Sequence, residues 1–353
     1  MNLAAIACAN GLGHIKRLIK VCNCLCARAP ELGVTLFCEG WQAERLAGWP
    51  EFDRFGERPA NRINPVRLPL RWSPEPHHYG GWLTGWHRDI AAWGLERYDA
   101  VLSDNLIEPL LYAGQVTLSG SFFWHDVLAA AYPDHPDIAR YHAWAVDLTR
   151  LKRPVMLVNR YFAMPATREQ TDVVETGLIS FYAPEGSAPD RRAPRNVLIA
   201  LGSTDAAERL LNQVEQALPL LKAGSMVVLA SERWLSALVQ VYGRVKWYDF
   251  AHNPLHTVDL AIIRAGLGTI SDCVAARIPM LTVDDNNPEI VFNQRRLAEL
   301  GIGMTLAEAL TRGKESPLVS QAAYQSMLAH FENLTLQGEE EAADFLLTSW
   351  GLN

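Results

Sequence analysis

The chain lacks any apolar run near the roughly 20 residues that a membrane-spanning helix needs, so we predict no transmembrane segment. It also lacks an excess of positive charge, because its 353 residues carry 32 Lys and Arg against 39 Asp and Glu. The net charge of −7 argues against a nucleic-acid partner, since nucleic-acid binding depends on a broad basic field. Hydrophobic residues make up 49% of the chain, which is typical of a soluble globular protein.

The cysteines are few and lack the spacing of a zinc site. Cys22, Cys24 and Cys26 alternate within a predicted helix, where their side chains would fan around the helix axis. We interpret all six cysteines as ordinary residues of a reduced, cytoplasmic protein. The first apolar run is short and has no basic stretch before it, which favours a first strand over a signal peptide.

The chain does contain two glycine-rich turns, each between a predicted strand and a predicted helix. The more informative one spans residues 263–272, with the sequence IRAGLGTISD, and follows the apolar run 258–262. Glycine lets the backbone turn sharply and approach a ligand. A helix N-terminus offers unpaired N–H groups and the positive end of the helix dipole to an anion. The pattern therefore favours a phosphate-binding loop, with an ordinary strand-to-helix turn as the alternative.

The other turn lies near the start of the chain, where GLGH at residues 11–14 stands between an apolar run and a helical pattern. Two strand–loop–helix units predict two doubly wound domains that face each other across a cleft. Neither turn completes the pattern Gly-x-Gly-x-x-Gly, which weakens the alternative of a nicotinamide dehydrogenase.

Strands and helices alternate along the chain, which predicts an α/β protein with parallel sheets. We expect an N-terminal Rossmann-like domain over residues 1–165 and a linker region over 166–195, which includes a polar, proline-rich stretch. We expect a C-terminal Rossmann-like domain over 196–325. Residues 326–353 form a helical tail that packs back on the N-terminal domain.

The stretch 245–303 resembles the nucleotide-sugar-binding half of the GT-B glycosyltransferases. The likeness rests on the loop 263–272, on Pro279 and Val283, and on Asn293 and Gly301. It is strongest to the family 28 group, which includes the enzyme that adds N-acetylglucosamine to the lipid-linked precursor of peptidoglycan. A related group of nucleotide-sugar hydrolases shares the fold and the opening Gly-x-Gly-His loop. The resemblance implies a GT-B fold, in which the N-terminal domain over residues 1–165 binds the acceptor and the C-terminal domain over 196–325 binds the nucleotide sugar.

The resemblance also implies a donor site. Backbone N–H groups from Gly266 to Thr269 would hold the diphosphate, and Asp272 stands where relatives have a Glu that pairs with the ribose. Glu289 and Asn293 fall in the segment that binds the donor sugar or ribose. Further implied donor contacts are Gly11, Gly13, Gly202, Ser203, Thr204, Phe250, Arg264, Leu267 and Gly268.

An inverting transfer needs a base that deprotonates the acceptor hydroxyl. His14 is the first candidate, with Asp104 at the end of a predicted strand as the partner that holds its tautomer. A helix cap or a phosphate contact is the alternative role for His14. His125 and Asp126 form the rival pair, for which a surface loop is the alternative.

We predict no metal site, because the chain has no Asp-x-Asp motif in the context of a metal-binding loop. We also predict no cofactor, since the nucleotide sugar is a co-substrate. Trp82, Trp86 and Trp93 share one predicted helical face, and indole rings stack on sugars and suit membrane interfaces. Acceptor recognition by Trp82, Trp86 and Arg88 is one interpretation, and the core face of an ordinary helix is the other.

Taken together, these features predict an inverting, metal-independent glycosyltransferase. It would move a sugar from a nucleotide-sugar donor to a glycan or lipid-linked acceptor in bacterial surface polysaccharide synthesis. We expect a cytoplasmic protein with peripheral contact to the inner membrane face. Two alternatives stay open, a nucleotide-sugar hydrolase and a non-catalytic protein that binds a nucleotide sugar.

Overall fold

A computed structural model of the protein describes residues 1–68, 70–80, 83, 85–182, 194–201, 207–221, 226–229, 244–247 and 255–352. The chain divides into two units. The first consists of Met1–Ile179, Asn287–Glu289 and Gln337–Asn353, and the second of Ser180–Asn286 and Ile290–Leu336. Among the described residues, no helix has the length and apolar character to cross a membrane.

The sheet of the first unit has the strand order β3-β2-β1-β4-β5-β6-β7, and all neighbouring strands are parallel. Its strands are short apolar runs, as expected where both faces of a parallel sheet are covered. In β1, for example, Leu3 to Ile6 are fully buried. The strands are β1 Asn2–Ile6, β2 Gly33–Cys38, β3 Arg62–Pro65, β4 Ala100–Asp104, β5 Val116–Gly120, β6 Val155–Asn159 and β7 Asp172–Thr176.

The sheet of the second unit has the order β10-β9-β8-β11-β12-β13 and is also parallel. Ile262 and Leu281 of its central strands are fully buried, and the hydroxyl of Tyr324 donates to the backbone oxygen of Asp259 at 2.9 Å. The strands are β8 Asn196–Ala200, β9 Met226–Leu229, β10 Val245–Trp247, β11 Leu260–Ile263, β12 Met280–Thr282 and β13 Gly303–Thr305.

Helices connect the strands, as parallel pairing requires. In the first unit they are α1 Gly13–Arg28, α2 Gly40–Leu46, α3 Pro50–Glu57, α4 His87–Ala91, α5 Trp124–Ala131, α6 Pro136–Lys152 and α7 Pro165–Gln170. Those that follow are α8 Ala207–Ala217, α9 Leu267–Ala275, α10 Pro288–Glu299, α11 Leu306–Thr311, α12 Gln321–Ala329 and α13 Gly338–Ser349.

The two units do not follow the expected boundaries residue for residue. The first unit continues past residue 165 through α7 and β7 to Ile179, because β7 pairs with β6. The tail divides at residue 337, and α13 groups with the first unit, where Lys20 of α1 is 3.1 Å from Glu339. Residues 183–193, most of the expected proline-rich linker, lie outside the described residues.

Both sheets share the doubly wound strand order, in which the direction of progression reverses between β1 and β4 and between β8 and β11. In open α/β sheets, ligands bind beyond the carboxyl ends of the strands at this reversal. The parallel, doubly wound sheets confirm the predicted α/β fold class. The reversal of strand order makes the loops after β1, β4 and β11 the candidate ligand-binding loops.

The end of β5 shows how closely these loops are packed. Gly120 has a φ of +143°, and a Cβ there would overlap the side-chain amide of Asn105, which follows β4 with a φ of +56°. Asn105 N–H also donates to the backbone oxygen of Ser119 at 2.8 Å. The two loops therefore fit together only because residue 120 has no side chain.

We expect Gly120→Ala to lower the free energy of unfolding by about 1–3 kcal/mol, through overpacking and an unfavourable φ. Gly56→Ala is the matched control, because a Cβ at Gly56 in α3 meets no atom within 4 Å and alanine favours the helix. Urea unfolding of both variants measures the difference. Equal stability of Gly120→Ala and the wild-type protein would contradict the packing described.

Candidate functional site

The loop after β1 and the start of α1 form the reversal point of the first unit. Gly11 has a φ of +86°, and α1 begins two residues later. A Cβ at Gly11 or Gly13 would meet no atom within 4 Å, so open space lies beside the loop. The helix has no side-chain cap and no acidic residue in its first turn, which leaves its N-terminal end electropositive.

His14 and Asp104 meet at this point. Nδ1 of His14 is 3.0 Å from Oδ1 of Asp104, and the two side chains are only 8% and 2% exposed. They meet because Asp104 ends β4, the sheet neighbour of the β1 strand that leads into α1. We assign the proton to Nδ1, since a carboxylate can only accept, and Nε2 then carries the lone pair. With the tautomer fixed in this way, Nε2 can accept a proton.

Arg17 is a third member of this cluster and was not a sequence candidate. Its Nη2 is 3.5 Å from Oδ2 of Asp104 and 3.1 Å from Nδ1 of His14. Because Nδ1 carries the proton that it donates to Asp104, it cannot also accept a hydrogen bond from Arg17. We therefore assign the favourable interaction of Arg17 to the carboxylate of Asp104. The signal for it was present in the sequence, since residues three apart on a helix lie on the same face.

The rival pair lies in a buried network. His125 is 1% exposed, its Nε2 is 2.9 Å from Oε1 of Gln170, and its ring stacks on Phe123 at 5.0 Å. Burial lowers the pKa of His125 to about 4, so the ring is neutral near neutral pH. Asp126 is held by Gln170 and by His142, each at 3.0 Å. These contacts favour a structural role over the catalytic interpretation of the pair.

The aromatic segment is also largely part of the core. Trp86 is 3% exposed, and Trp93 stacks on Phe37 at 5.4 Å. The helix predicted to carry all three tryptophans is shorter than expected, since α4 covers only His87–Ala91, and Arg88 on it is exposed. The structure therefore favours the core interpretation for Trp86. Trp82 lies outside the described residues, as do Gly202, Ser203, Thr204 and Phe250 of the expected donor site.

In the second unit, the loop after β11 leads into an uncapped helix. Gly266 is the N-cap of α9, with no side-chain cap and no acidic residue in the first turn. The first helical bond runs from Ile270 N–H to the oxygen of Gly266, so the N–H groups of Leu267, Gly268 and Thr269 have no partner within the helix. A Cβ at Gly266 would meet only one atom, 4.0 Å away. This helix start can bind an anion through backbone N–H groups.

Buried polar contacts hold this loop in place. Nε of Arg264 is 2.5 Å from Oδ2 of Asp285, which follows β12, and these side chains are 13% and 3% exposed. The amide of Asn293 on α10 donates to the oxygen of Ala265 at 2.9 Å. Arg264 and Asn293 thus shape the loop directly before the helix. Asp285 was not a sequence candidate for this site.

Glu289 occupies the first turn of α10 and is 8% exposed. Its N–H donates at 2.9 Å to Oδ1 of Asn287, which precedes the helix. Residues 287–289 group with the first unit, whereas the rest of α10 belongs to the second.

Asp272, for which the resemblance implies a ribose contact, accepts hydrogen bonds from the segment 180–182. Its Oδ1 accepts hydrogen bonds from the hydroxyl of Ser180 at 2.8 Å, from Phe181 N–H at 2.6 Å and from Tyr182 N–H at 3.2 Å. The carboxylate is 7% exposed. Asp272 therefore anchors the segment 180–182 to α9. Sequence reasoning missed Ser180, which carries no motif.

Comparisons with known proteins agree with this architecture. The structure is similar to the kitacinnamycin glycotransferase (TM-score 0.66, 17% identity, 98% of each chain covered). It is similar to Medicago truncatula UGT71G1 in complex with UDP-glucose (TM-score 0.63, 13% identity, 99% and 98% covered). It is also similar to the glycosyltransferase VinC in complex with dTDP (TM-score 0.59, 14% identity, 100% of each covered). The search of curated proteins found no match.

These similarities show that the protein has the GT-B fold of two Rossmann-like domains. Residues 196–324 match the model of the glycosyltransferase family 28 C-terminal domain. In its fold and in this domain, the chain is similar to nucleotide-sugar-dependent glycosyltransferases of the GT-B class. The family resemblance predicted from residues 245–303 is confirmed.

The burial of His125 predicts a contribution to stability that is lost in acid. Between pH 6.5 and about 4 the unfolded chain binds a proton at this histidine that the folded chain excludes. The contribution of His125 to the free energy of unfolding therefore falls as the pH falls through this window, by roughly 3 kcal/mol in total. The variant His125→Gln should lack this contribution, so its free energy of unfolding should decrease less, or increase more, than that of the wild-type protein over the same window, as measured by urea unfolding at successive pH values.

His256→Gln, at an exposed position in the second unit, serves as the control and should keep the wild-type slope. Glu108, whose pKa burial raises to about 7, titrates in all three proteins and cancels in the comparison. An unchanged slope in His125→Gln would show that this histidine does not resist protonation.

We expect Asp272→Ala to lower the free energy of unfolding of the second unit by about 1–3 kcal/mol, because three donors lose a charged acceptor. Asp284→Ala, at an exposed position, should change it by less than about 0.5 kcal/mol. Chemical unfolding of both variants tests this. If both are as stable as the wild-type protein, Asp272 is not an anchor.

Proposed function

We propose that the protein transfers a sugar from a nucleoside diphosphate sugar to an acceptor hydroxyl, with inversion at the anomeric carbon and without a metal ion. The observation that carries the proposal is the hydrogen bond between His14 and Asp104 at the reversal point of the first sheet. A buried carboxylate that fixes a histidine tautomer leaves the other ring nitrogen available as a base.

In the proposed reaction, Nε2 of His14 takes the proton from the acceptor hydroxyl as the oxygen attacks the anomeric carbon. The bond from that carbon to the diphosphate breaks, and the nucleoside diphosphate leaves with the electron pair. A single displacement of this kind inverts the anomeric configuration. Asp104 stabilises the imidazolium that forms, and Arg17 keeps the carboxylate in place.

The start of α9 supports the donor part of the proposal. Its N–H groups at residues 267–269 and its dipole would stabilise the charge on the departing diphosphate, which is the role that a metal ion plays in other enzymes. The ion pair of Arg264 with Asp285 holds the loop that leads into this helix. UGT71G1 in complex with UDP-glucose and VinC in complex with dTDP have the same fold, and they carry a nucleotide sugar and a nucleoside diphosphate, respectively.

Residues 66–68 and 70–80 support an acceptor site in the first unit. Leu68 N–H donates to Oε1 of Glu39 at 2.7 Å, and Trp72 N–H donates to Oδ1 of Asn10 at 3.2 Å, which place the segment beside the loops after β2 and β1. Trp72 stacks on Tyr132, with ring centroids 5.9 Å apart, and is half-buried. Part of its indole ring is therefore exposed and can contact a sugar.

Exposed arginines on this side of the unit favour a glycan or lipid-linked acceptor. Arg62, Arg67 and Arg71 are all exposed and could meet anionic headgroups. They support peripheral contact of a cytoplasmic protein with the inner membrane face. We propose bacterial surface polysaccharide synthesis as the process that uses this reaction.

Product analysis tests the reaction class. The purified protein is incubated with labelled nucleoside diphosphate sugars, with and without membrane extracts or glycan acceptors. Transfer requires that sugar leaves the donor only when an acceptor is added, and that the product has the opposite anomeric configuration. Release of free sugar without acceptor would identify a hydrolase instead, and binding without turnover would identify a sensor.

The catalytic pair predicts a specific pattern of variant activities. We expect His14→Ala to lower kcat by about 100-fold or more, since a general base contributes about 10²- to 10⁴-fold. Asp104→Asn should also lower kcat strongly, because an amide can hold the wrong tautomer of His14. His125→Gln should retain kcat within a few-fold. Normal turnover of His14→Ala with loss of turnover in His125→Gln would reverse the assignment of the base.

We also expect turnover to continue in the presence of EDTA, because the proposed donor site stabilises the diphosphate with backbone N–H groups and the dipole of α9. Initial rates with EDTA and with added Mg²⁺ should agree within about twofold. A strict requirement for Mg²⁺ would contradict this part of the proposal.

A further inference from the structure

A cluster of metal-ligating side chains lies on the turn at residues 75–78, separate from His14 and Asp104. Glu75, His77 and His78 each offer one ligand atom, and these atoms all lie within 4.8 Å of one another. Nε2 of His77 is 3.3 Å from Oε2 of Glu75. The ring centroids of His77 and His78 are 4.4 Å apart. We propose that this cluster binds one divalent transition-metal ion.

The distances suit such an ion. Zinc binds histidine nitrogen and carboxylate oxygen at about 2.0–2.2 Å, which separates ligand atoms in a tetrahedron by roughly 3.3 Å. The 3.3 Å between His77 and Glu75 already has this value. All three side chains are exposed, so small rotations can bring the third ligand atom in without disturbing the core. Three protein ligands leave a fourth position for water.

Hydrogen bonds from two tyrosine hydroxyls hold the backbone directly before the ligands in place. Tyr79 is 1% exposed, and its hydroxyl accepts from Ser73 N–H at 2.5 Å and donates to the oxygen of Arg71 at 2.8 Å. The hydroxyl of Tyr132 donates to the oxygen of Ser73 at 2.6 Å. Oγ of Ser73 is 2.6 Å from Nδ1 of His78, which orients that ring. A turn ordered in this way loses less conformational entropy when it binds an ion.

The donor set selects the class of metal. Two imidazoles and one carboxylate suit Zn²⁺, Ni²⁺, Co²⁺ or Cu²⁺, whereas Mg²⁺ and Ca²⁺ prefer all-oxygen sites. The ion would stabilise the turn at residues 75–78 and would take no part in the transfer step. The proposal does not rest on the transfer reaction, because its test measures binding alone.

The test is a titration of the untagged, metal-stripped full chain with ZnCl₂ by isothermal calorimetry, and with CoCl₂ by visible absorption. We expect one ion per chain. The visible absorption spectrum of the Co²⁺ complex should indicate a low coordination number. Glu75→Gln, His77→Ala and His78→Ala should each weaken binding by at least about tenfold, a loss that even an outer-shell change can cause. Mg²⁺ should not compete.

His256→Ala is the matched control, because it removes an exposed histidine in the second unit and should leave the affinity unchanged. Circular dichroism confirms that each variant is folded, which the exposure of these side chains leads us to expect. Absence of Zn²⁺ binding would overturn the proposal. So would equal affinity in the wild-type protein and the three cluster variants, or a loss confined to one of them.

Discussion

The order of the parallel strands is the constraint on which both sites depend. In each sheet, the first strand of the unit lies next to the fourth, and a crevice opens beyond their carboxyl ends where the strand order reverses. In the first unit this geometry brings His14 on α1 to Asp104 at the end of β4. In the second it places the Gly266 loop after β11. The apolar strands fix where each loop begins, and the short polar segments after them carry the side chains and backbone N–H groups of the candidate sites.

Buried polar contacts then keep these segments in shape. Asn293 binds the oxygen of Ala265, Arg264 pairs with Asp285, and Asp272 holds the segment 180–182. Each contact satisfies groups that would otherwise cost about 1–3 kcal/mol when buried. None of them caps the N-terminus of α9, so the loop is rigid while the N–H groups at its end stay available to an anion.

The sequence predicted the features that depend on local pattern. Apolar runs followed by glycine turns and helical spacing predicted both doubly wound sheets and both glycine loops. The pairing of His14 with Asp104 was also predictable, because neighbouring parallel strands end at the same edge of a sheet. That expectation needed only the approximate position of each strand end.

What the sequence could not provide is the direction in which a side chain points after folding. Trp86 and His125 carry residue types common in sugar-binding and catalytic sites, yet tertiary packing buries both. Asp272 stands at the position of a ligand contact in relatives, but Ser180, some 90 residues away, contributes to its anchoring role. Arg17 was overlooked although it is only one helical turn from His14. Each case depends on long-range contacts that a local pattern does not contain.

The central claim is that the start of α9 binds the diphosphate of a nucleotide sugar, and thermal unfolding in the presence of nucleotides tests it most directly. The panel comprises UDP, GDP, dTDP, CDP and CMP with their common sugar conjugates, and the variant Gly266→Val places a side chain in the open space before the helix. We predict that one nucleoside diphosphate raises the Tm of the wild-type protein, because a ligand that binds only the folded state stabilises it. Gly266→Val should keep the Tm of the free protein and lose the shift. A panel without any shift, or a shift that survives in Gly266→Val, would contradict the claim.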